Sequence, residues 1–172
     1  TQENGLWCLR RNNTWKQYLY SEKDTCSLGS NQVNSIQTDG RGRLFVATLQ
    51  GLCEYQPSSD SFRRIAIDAP SQDFKSILFA QGSMWLSSGK GIVKYSEDKP
   101  VQKFCRFDGL TSDQFLANSC LLSSDGRIYF GTTQGFNAFR PQQVTLNRIA
   151  PPVAITSLSL FNKRMEVGSD KL

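Results

Sequence analysis

With 15 Asp and Glu and no histidine, the side chains of this sequence best suited to acid–base chemistry near neutral pH are carboxylates. Two carboxylates brought together by a fold could serve a glycosidase or a lyase. Without histidine, the usual general base and the Ser-His-Asp and Cys-His arrangements are out of reach. Asp39, Asp60, Asp98 and Asp125 stand in polar, turn-forming stretches. An aspartate there is explained by hydrogen bonds to its own turn backbone. Gly40-Arg41-Gly42 is followed by neither a Lys-Ser/Thr pair nor a helix start, so it is a poor phosphate loop. No catalytic residue is assigned, and this segment is expected not to be an enzyme.

The cysteines, Cys8, Cys26, Cys53, Cys105 and Cys120, contain no Cys-x-x-Cys pair. A zinc site would have to gather thiolates from separate strands, so no metal and no cofactor is expected. Cys8, Cys53, Cys105 and Cys120 fall in strand-like runs and are expected to be small buried hydrophobes. Cys26, in a polar loop, is expected to be the exposed and most reactive thiol. The net charge is +5. Its densest clusters are only Arg41/Arg43, Arg10-Arg11 and Arg63-Arg64. A nucleic-acid interface would concentrate such charge on one stripe; solvated strand faces and turn tips account for it better. No stretch is long enough for a transmembrane helix, and the N-terminus resembles no signal peptide.

What could position any of these groups is a repeat. A glycine, an apolar residue, two variable residues and an apolar or aromatic one recur at Gly5-Leu6-Trp7-Cys8-Leu9, Gly51-Leu52-Cys53-Glu54-Tyr55, Gly91-Ile92-Val93-Lys94-Tyr95 and Gly135-Phe136-Asn137-Ala138-Phe139. The glycines are 46, 40 and 44 residues apart. A period of roughly 40–45 residues in strand-like sequence marks propeller blades. Six residues before the last three glycines stand Phe45, Trp85 and Tyr129, each in a short apolar run rich in β-formers. These aromatics could stack on sugars, but their fixed place in the repeat favours packing between blades. Trp7, Trp15, Tyr18 and Tyr20 lie outside that register and are freer to be surface groups.

Turn formers precede each aromatic run: Asp39-Gly40-Arg41-Gly42, Ala80-Gln81-Gly82 and Asp125-Gly126. Upstream lie the strand candidates 33–38, 74–79 and 117–122. Downstream, polar turns lead into outer strands at Phe62-Arg63-Arg64-Ile65 and Lys103-Phe104-Cys105-Arg106-Phe107. The pattern predicts an all-β chain: a partial β-propeller of about 3–3.5 four-stranded antiparallel blades, with almost no helix. The first repeat begins at its third strand near Gly5, with Trp15–Leu19 as its outer strand. Complete repeats run over 31–67 and 73–107, and the last from 114 into the 140s.

The run from Leu28 to Ile36, with Asp39 and Gly42-Arg43-Leu44-Phe45-Val46-Ala47-Thr48-Leu49-Gln50-Gly51-Leu52, resembles the two-component regulator propeller repeat. So do Asp108–Phe115 and Asp125–Phe139. Two departures occur: Ser87-Ser88-Gly89 stands where the family has Gly-Thr, and Ala47 replaces its glycine. Pro151-Pro152-Val153-Ala154-Ile155-Thr156-Ser157-Leu158-Ser159-Leu160-Phe161-Asn162-Lys163 resembles the opening strand of the immunoglobulin-like domain that follows such propellers. The resemblance implies a propeller segment over 1–150, seven-bladed when complete, and a truncated immunoglobulin-like start over 151–172.

It further implies a fragment of the periplasmic sensor region of a hybrid two-component histidine kinase, as in gut Bacteroidetes. Such regions detect oligosaccharides through the complete ectodomain and control polysaccharide-utilisation genes. Kinase, receiver and membrane helix would lie in other parts of the protein; some family members carry a nucleotide-cyclase output instead. No motif here identifies ligand-binding residues. The alternative implied by a propeller is a protein-interaction or dimerisation scaffold. Apolar blade faces at the ends of an open arc predict self-association.

Overall fold

The structure is a computed structural model and describes residues 3–144, 158–161 and 163–165. Strand β1 (Leu6–Leu9) pairs antiparallel with β2 (Trp15–Tyr18). A four-stranded sheet follows in chain order: β3 (Val33–Thr38), β4 (Leu44–Thr48), β5 (Gly51–Gln56) and β6 (Ser61–Ile65). The next four-stranded sheet holds β7 (Phe74–Ala80), β8 (Ser83–Ser88), β9 (Gly91–Ser96) and β10 (Lys99–Phe104). A three-stranded sheet comprises β11 (Phe115–Leu122), β12 (Ile128–Thr132) and β13 (Gly135–Phe139). All neighbours in these sheets are antiparallel. We number the sheets blades one to four. The inner strands β3, β7 and β11 pack on one another, as in a propeller.

Blade one consists of a third and an outer strand, as its sequence predicts. The outer strand expected for blade four falls after Val144, outside the described residues. Of the expected immunoglobulin-like start, only a hairpin of β14 (Leu158–Leu160) and β15 (Lys163–Met165) is described. Among the described residues, helix is confined to 3₁₀ turns at Arg106–Asp108 and Pro141–Gln143.

The anchor glycine has a physical reason. Gly5, Gly51, Gly91 and Gly135 all have positive φ, from 64° to 120°, a region that L side chains enter only with strain. That twist turns the glycine N–H out of its own blade. Gly5 donates to the Asn31 carbonyl at 2.9 Å, Gly51 to Gln72 at 2.8 Å and Gly91 to Asp113 at 3.1 Å. Each acceptor lies just before the inner strand of the next blade, so the glycine ties successive blades together. A hydroxyl closes the turn before it. Thr48 Oγ1 donates to the Gly51 carbonyl at 2.8 Å, Ser88 Oγ to Gly91 at 3.0 Å and Thr132 Oγ1 to Gly135 at 3.1 Å. Ser88 therefore does the work of the threonines, which is why that departure from the repeat leaves the register intact.

Phe45, Trp85 and Tyr129 sit three residues before Thr48, Ser88 and Thr132, which pair with the anchor glycines. The three aromatics thus occupy one register position. Side chains alternate between faces, so each blade shares one cluster with the blade before and another with the blade after. Val46, Cys53 and Phe62 pack back on Leu6 and Tyr18 of blade one. Phe45, Ala47 and Leu52 pack forward on Phe74, Ile77, Met84 and Leu86. Trp85, Ile92 and Phe104 pack forward on Phe115, Ile128 and Phe130. Each fully buried side chain of this kind is worth roughly 1.5–3 kcal/mol.

The cysteine expectation needs correction. Only Cys53 is fully buried; Cys105 and Cys120 are half-buried, and Cys8 is exposed together with Cys26. Cys8 lies in a two-stranded sheet, where β1 has β2 alone beside it. Cys105 is not in the outer strand, which ends at Phe104. It starts the 3₁₀ turn, where its N–H donates to Asp108 Oδ2 at 2.9 Å. Burial raises the pKa of the Cys53 and Cys120 thiols and keeps both protonated.

Candidate functional site

A groove of about 640 Å³ lies between blades two and three. Two tight turns form its rim. In the first, Asp39 accepts from the Arg41 and Arg43 N–H groups, each at 2.9 Å. In the second, Gln81 and Gly82 both have positive φ, as a two-residue hairpin requires. The turn Ser96–Lys99 completes the rim. Phe45, Phe79, Met84, Tyr95 and Ile65 provide an apolar floor, with the Phe45 and Phe79 rings 5.4 Å apart.

Arg43 is the centre of the groove. Its Nε donates to Asp39 Oδ2 at 2.8 Å and its Nη1 to Glu97 Oε1 at 2.5 Å. Glu54 lies 3.9 Å away and is itself paired with Arg63. The guanidinium lies 5.4 Å from the Phe45 ring centroid, a cation–π contact. The Glu97 and Asp39 bonds raise the Arg43 pKa further. The Arg43 hydrogen bond holds Glu97 below the usual carboxylate range. Asp39 is also lowered: burial opposes this, and the hydrogen bonds from Arg43 and Arg41 outweigh it. Arg41, Lys99 and Asp98 stand at the mouth, and the Arg41 charge adds to the lowering of Glu97. Fixed guanidinium and carboxylate groups above an aromatic floor suit a ligand that presents both hydroxyl donors and acceptors and an apolar ring face.

The sequence located the turns of this groove but not its contents. Asp39 and Asp125 have the turn role expected, with Asp125 accepting from the Arg127 N–H at 3.2 Å. Asp60 has another. It sits at φ 50° and binds back to blade one, accepting from Lys16 Nζ at 2.6 Å, and it accepts from Tyr55 Oη of its own blade at 2.7 Å. Tyr18 and Arg10 also bond to it. Tyr18 is therefore held in an inter-blade contact, whereas Trp7 and Trp15 are surface groups in edge-to-face contact with one another. Glu97 of blade three reaches back to Arg43 of blade two in the same manner. An acidic residue in the outer turn thus clasps the preceding blade twice, and spacing alone gave no sign of it.

The Lys16 hydrogen bond, then those of Tyr18 and Tyr55, hold the Asp60 pKa far below its ordinary value, and the bond to Asp60 raises that of Tyr55. A depressed carboxylate stabilises the fold above its ordinary value, near 4, and loses that contribution as pH falls through its folded value. Thermal melts are therefore expected to drop between about pH 5 and pH 2. Asp60→Asn should flatten that drop while lowering Tm at neutral pH. Parallel pH profiles for the two proteins would refute the clasp.

No family model matches the chain. Over 93 residues, 54% of the chain, it is 34% identical to Histidine kinase P4 of Formosa agariphila. The chain spans 7% of that relative's length. The extracellular domain of a hybrid two-component system of B. thetaiotaomicron matches with a TM-score of 0.62 at 17% identity, covering 83% of this chain and 19% of that one. Virginiamycin B lyase from Staphylococcus aureus, a propeller-like protein, matches with a TM-score of 0.54 at 12% identity, covering 80% of this chain and 49% of the lyase. These structural likenesses are likenesses of fold.

Proposed function

We propose that the chain is part of the ligand-sensing region of a hybrid two-component receptor, placed in the periplasm and detecting oligosaccharides. The observation that carries this reading is its 34% identity to a histidine kinase over 93 residues. The likeness of fold to an extracellular sensor domain supports it. In this reading residues 1–150 belong to a propeller that is seven-bladed when complete, and 151–172 open an immunoglobulin-like domain. Phosphotransfer and membrane anchoring belong to other parts of the receptor. The Arg43 groove is the best place for a sugar, since its paired charges can bond ring hydroxyls while Phe45 and Tyr95 meet the apolar ring face. Arg43 holds both Asp39 and Glu97 ionised, so neither serves as the protonated acid that glycoside cleavage needs, and binding without hydrolysis is expected.

The test is isothermal titration of the intact ectodomain against a panel of glycans, beside an Arg43→Ala variant. Saturable heat with one glycan, weakened at least tenfold by the substitution, is expected. If no glycan binds either protein, the carbohydrate reading fails.

A second reading, a dimerisation scaffold, is favoured by the apolar ends of the blade row. Trp7, Leu9 and Trp15 at one end and Leu121 and Phe136 at the other are 49–63% exposed. Scattering measured over a concentration series separates the two: a scaffold gives a rising mass and no glycan heat.

A further inference from the structure

The two carboxylates that Arg43 binds are held very differently. The Asp39 side chain is 8% exposed and accepts three hydrogen bonds, from the Arg41 and Arg43 backbone N–H groups and from Arg43 Nε. The Glu97 side chain is 54% exposed and stands on the turn between β9 and β10. Among the described residues its carboxylate takes one hydrogen bond, from Arg43 Nη1. Water solvates both charges of so open a pair, so the pair adds little stability and is readily exchanged. Asp39 is thus the fixed partner of Arg43, and Glu97 the replaceable one.

The surrounding charges favour an anion where Glu97 now sits. Arg41 and Arg63 line the same groove and add to the pull of Arg43 on the Glu97 carboxylate. Two pairs cancel in place, Asp39 with Arg43 and the buried Glu54 with Arg63. With Glu97 turned out to water, the mouth carries Arg41 and Lys99 against Asp98, a surplus of one positive charge. One carboxylate on a ligand neutralises it. A sugar hydroxyl is a weaker acceptor than a carboxylate and leaves Glu97 on the guanidinium. An ammonium group would meet the basic mouth. Beneath the charges, Tyr95 and Phe79 are half-buried, so the floor is open to a ring face.

Given that the groove is a sugar site, as proposed above, we infer that it selects an acidic sugar. The ligand is a hexuronate whose ring lies on Tyr95 and Phe79 and whose carboxylate takes the place of Glu97 on Arg43. The exchange also releases the outer turn of blade three from blade two, so the Glu97 clasp is a contact that the ligand breaks on binding.

Isothermal titration of the intact ectodomain with trisaccharides of glucuronate, galacturonate and mannuronate tests the exchange, beside the C6 methyl ester of each and the neutral glycans. The ester keeps the shape of the acid and removes its charge. One acid should bind about tenfold more tightly than its ester, the difference between a charge-assisted and a neutral hydrogen bond. Glu97→Gln removes the competing charge at nearly constant size. It should tighten that acid by about two- to fivefold and leave the ester within about twofold. A side chain that served packing alone would alter both ligands together. Acid and ester of equal affinity, a Glu97→Gln variant that binds the acid no better, or binding of neutral glycans without any uronate overturns the exchange and leaves the sugar reading standing. If no saccharide of either kind binds, the sugar reading falls and the exchange with it.

Discussion

Trp85→Ala is expected to destabilise the protein by about 4 kcal/mol, and Tyr129→Ala by about 1 kcal/mol, although the two residues hold the same place in their blades. Trp85 is 0% exposed and lies between two blades, against Phe104 and Phe139 at ring separations of 6.0 and 5.2 Å. Removing it deletes a large apolar surface and leaves a cavity that rigid strands on both sides close only in part. Tyr129 faces the far side of blade four, half-buried, with a ring contact to Phe136, itself 63% exposed. Phe45, 3% exposed, should behave like Trp85, at the lower end of the same range. Urea denaturation of the three alanine variants gives the order directly. Equal losses at Trp85 and Tyr129 would show that something covers blade four in solution, as self-association would.

Gly91→Ala is expected to cost about 3 kcal/mol, and Gly135→Ala about 1 kcal/mol. Both glycines have positive φ, 111° and 120°, so alanine is strained at each. They differ in what the new methyl would meet. At Gly91 a Cβ would stand 2.1 Å from the Phe104 carbonyl oxygen, a backbone atom of β10 that cannot turn aside. The methyl would push β9 from β10 and loosen the Gly91 N–H bond to Asp113. At Gly135 no heavy atom of the described residues lies within 4 Å of the added Cβ. For a chain of this size Tm should fall by about 6–12 °C at Gly91 and a few degrees at Gly135. Similar melting temperatures for the two variants would mean that φ strain alone explains the glycine, and that its closeness to the outer strand is unimportant.

The blade plan was legible because its signals are local. A positive-φ glycine, a hydroxyl closing a two-residue turn and a period-2 apolar run each act within a few residues, so their spacing survives in the linear chain. The three inner strands, the outer strand of blade two and the shared register of Phe45, Trp85 and Tyr129 followed from that alone. Cys105 was misplaced because an apolar run cannot reveal where a strand stops. The bond from its N–H to Asp108, which ends β10, is made by a residue that also reads as a turn former. Cys8 was misjudged because burial is set by which strands stand alongside, and β1 has one neighbour.

By itself, the sequence determined an all-β repeat, the order of the strands in its two complete blades, and the lack of any histidine-based chemistry. Only the tertiary structure decided which charges meet. Arg43 and Glu97 are 54 residues apart and Lys16 and Asp60 44 apart, yet each pair bonds within 2.6 Å. Propeller packing sets one blade's outer turn against the previous blade, and that juxtaposition depends on the rotation between sheets, for which no residue spacing codes. The same rotation buries the Trp85 and Asn137 N–H groups with no acceptor among the described residues, because the alternation that fills a blade's faces with apolar side chains says nothing about the polar atoms that those faces trap.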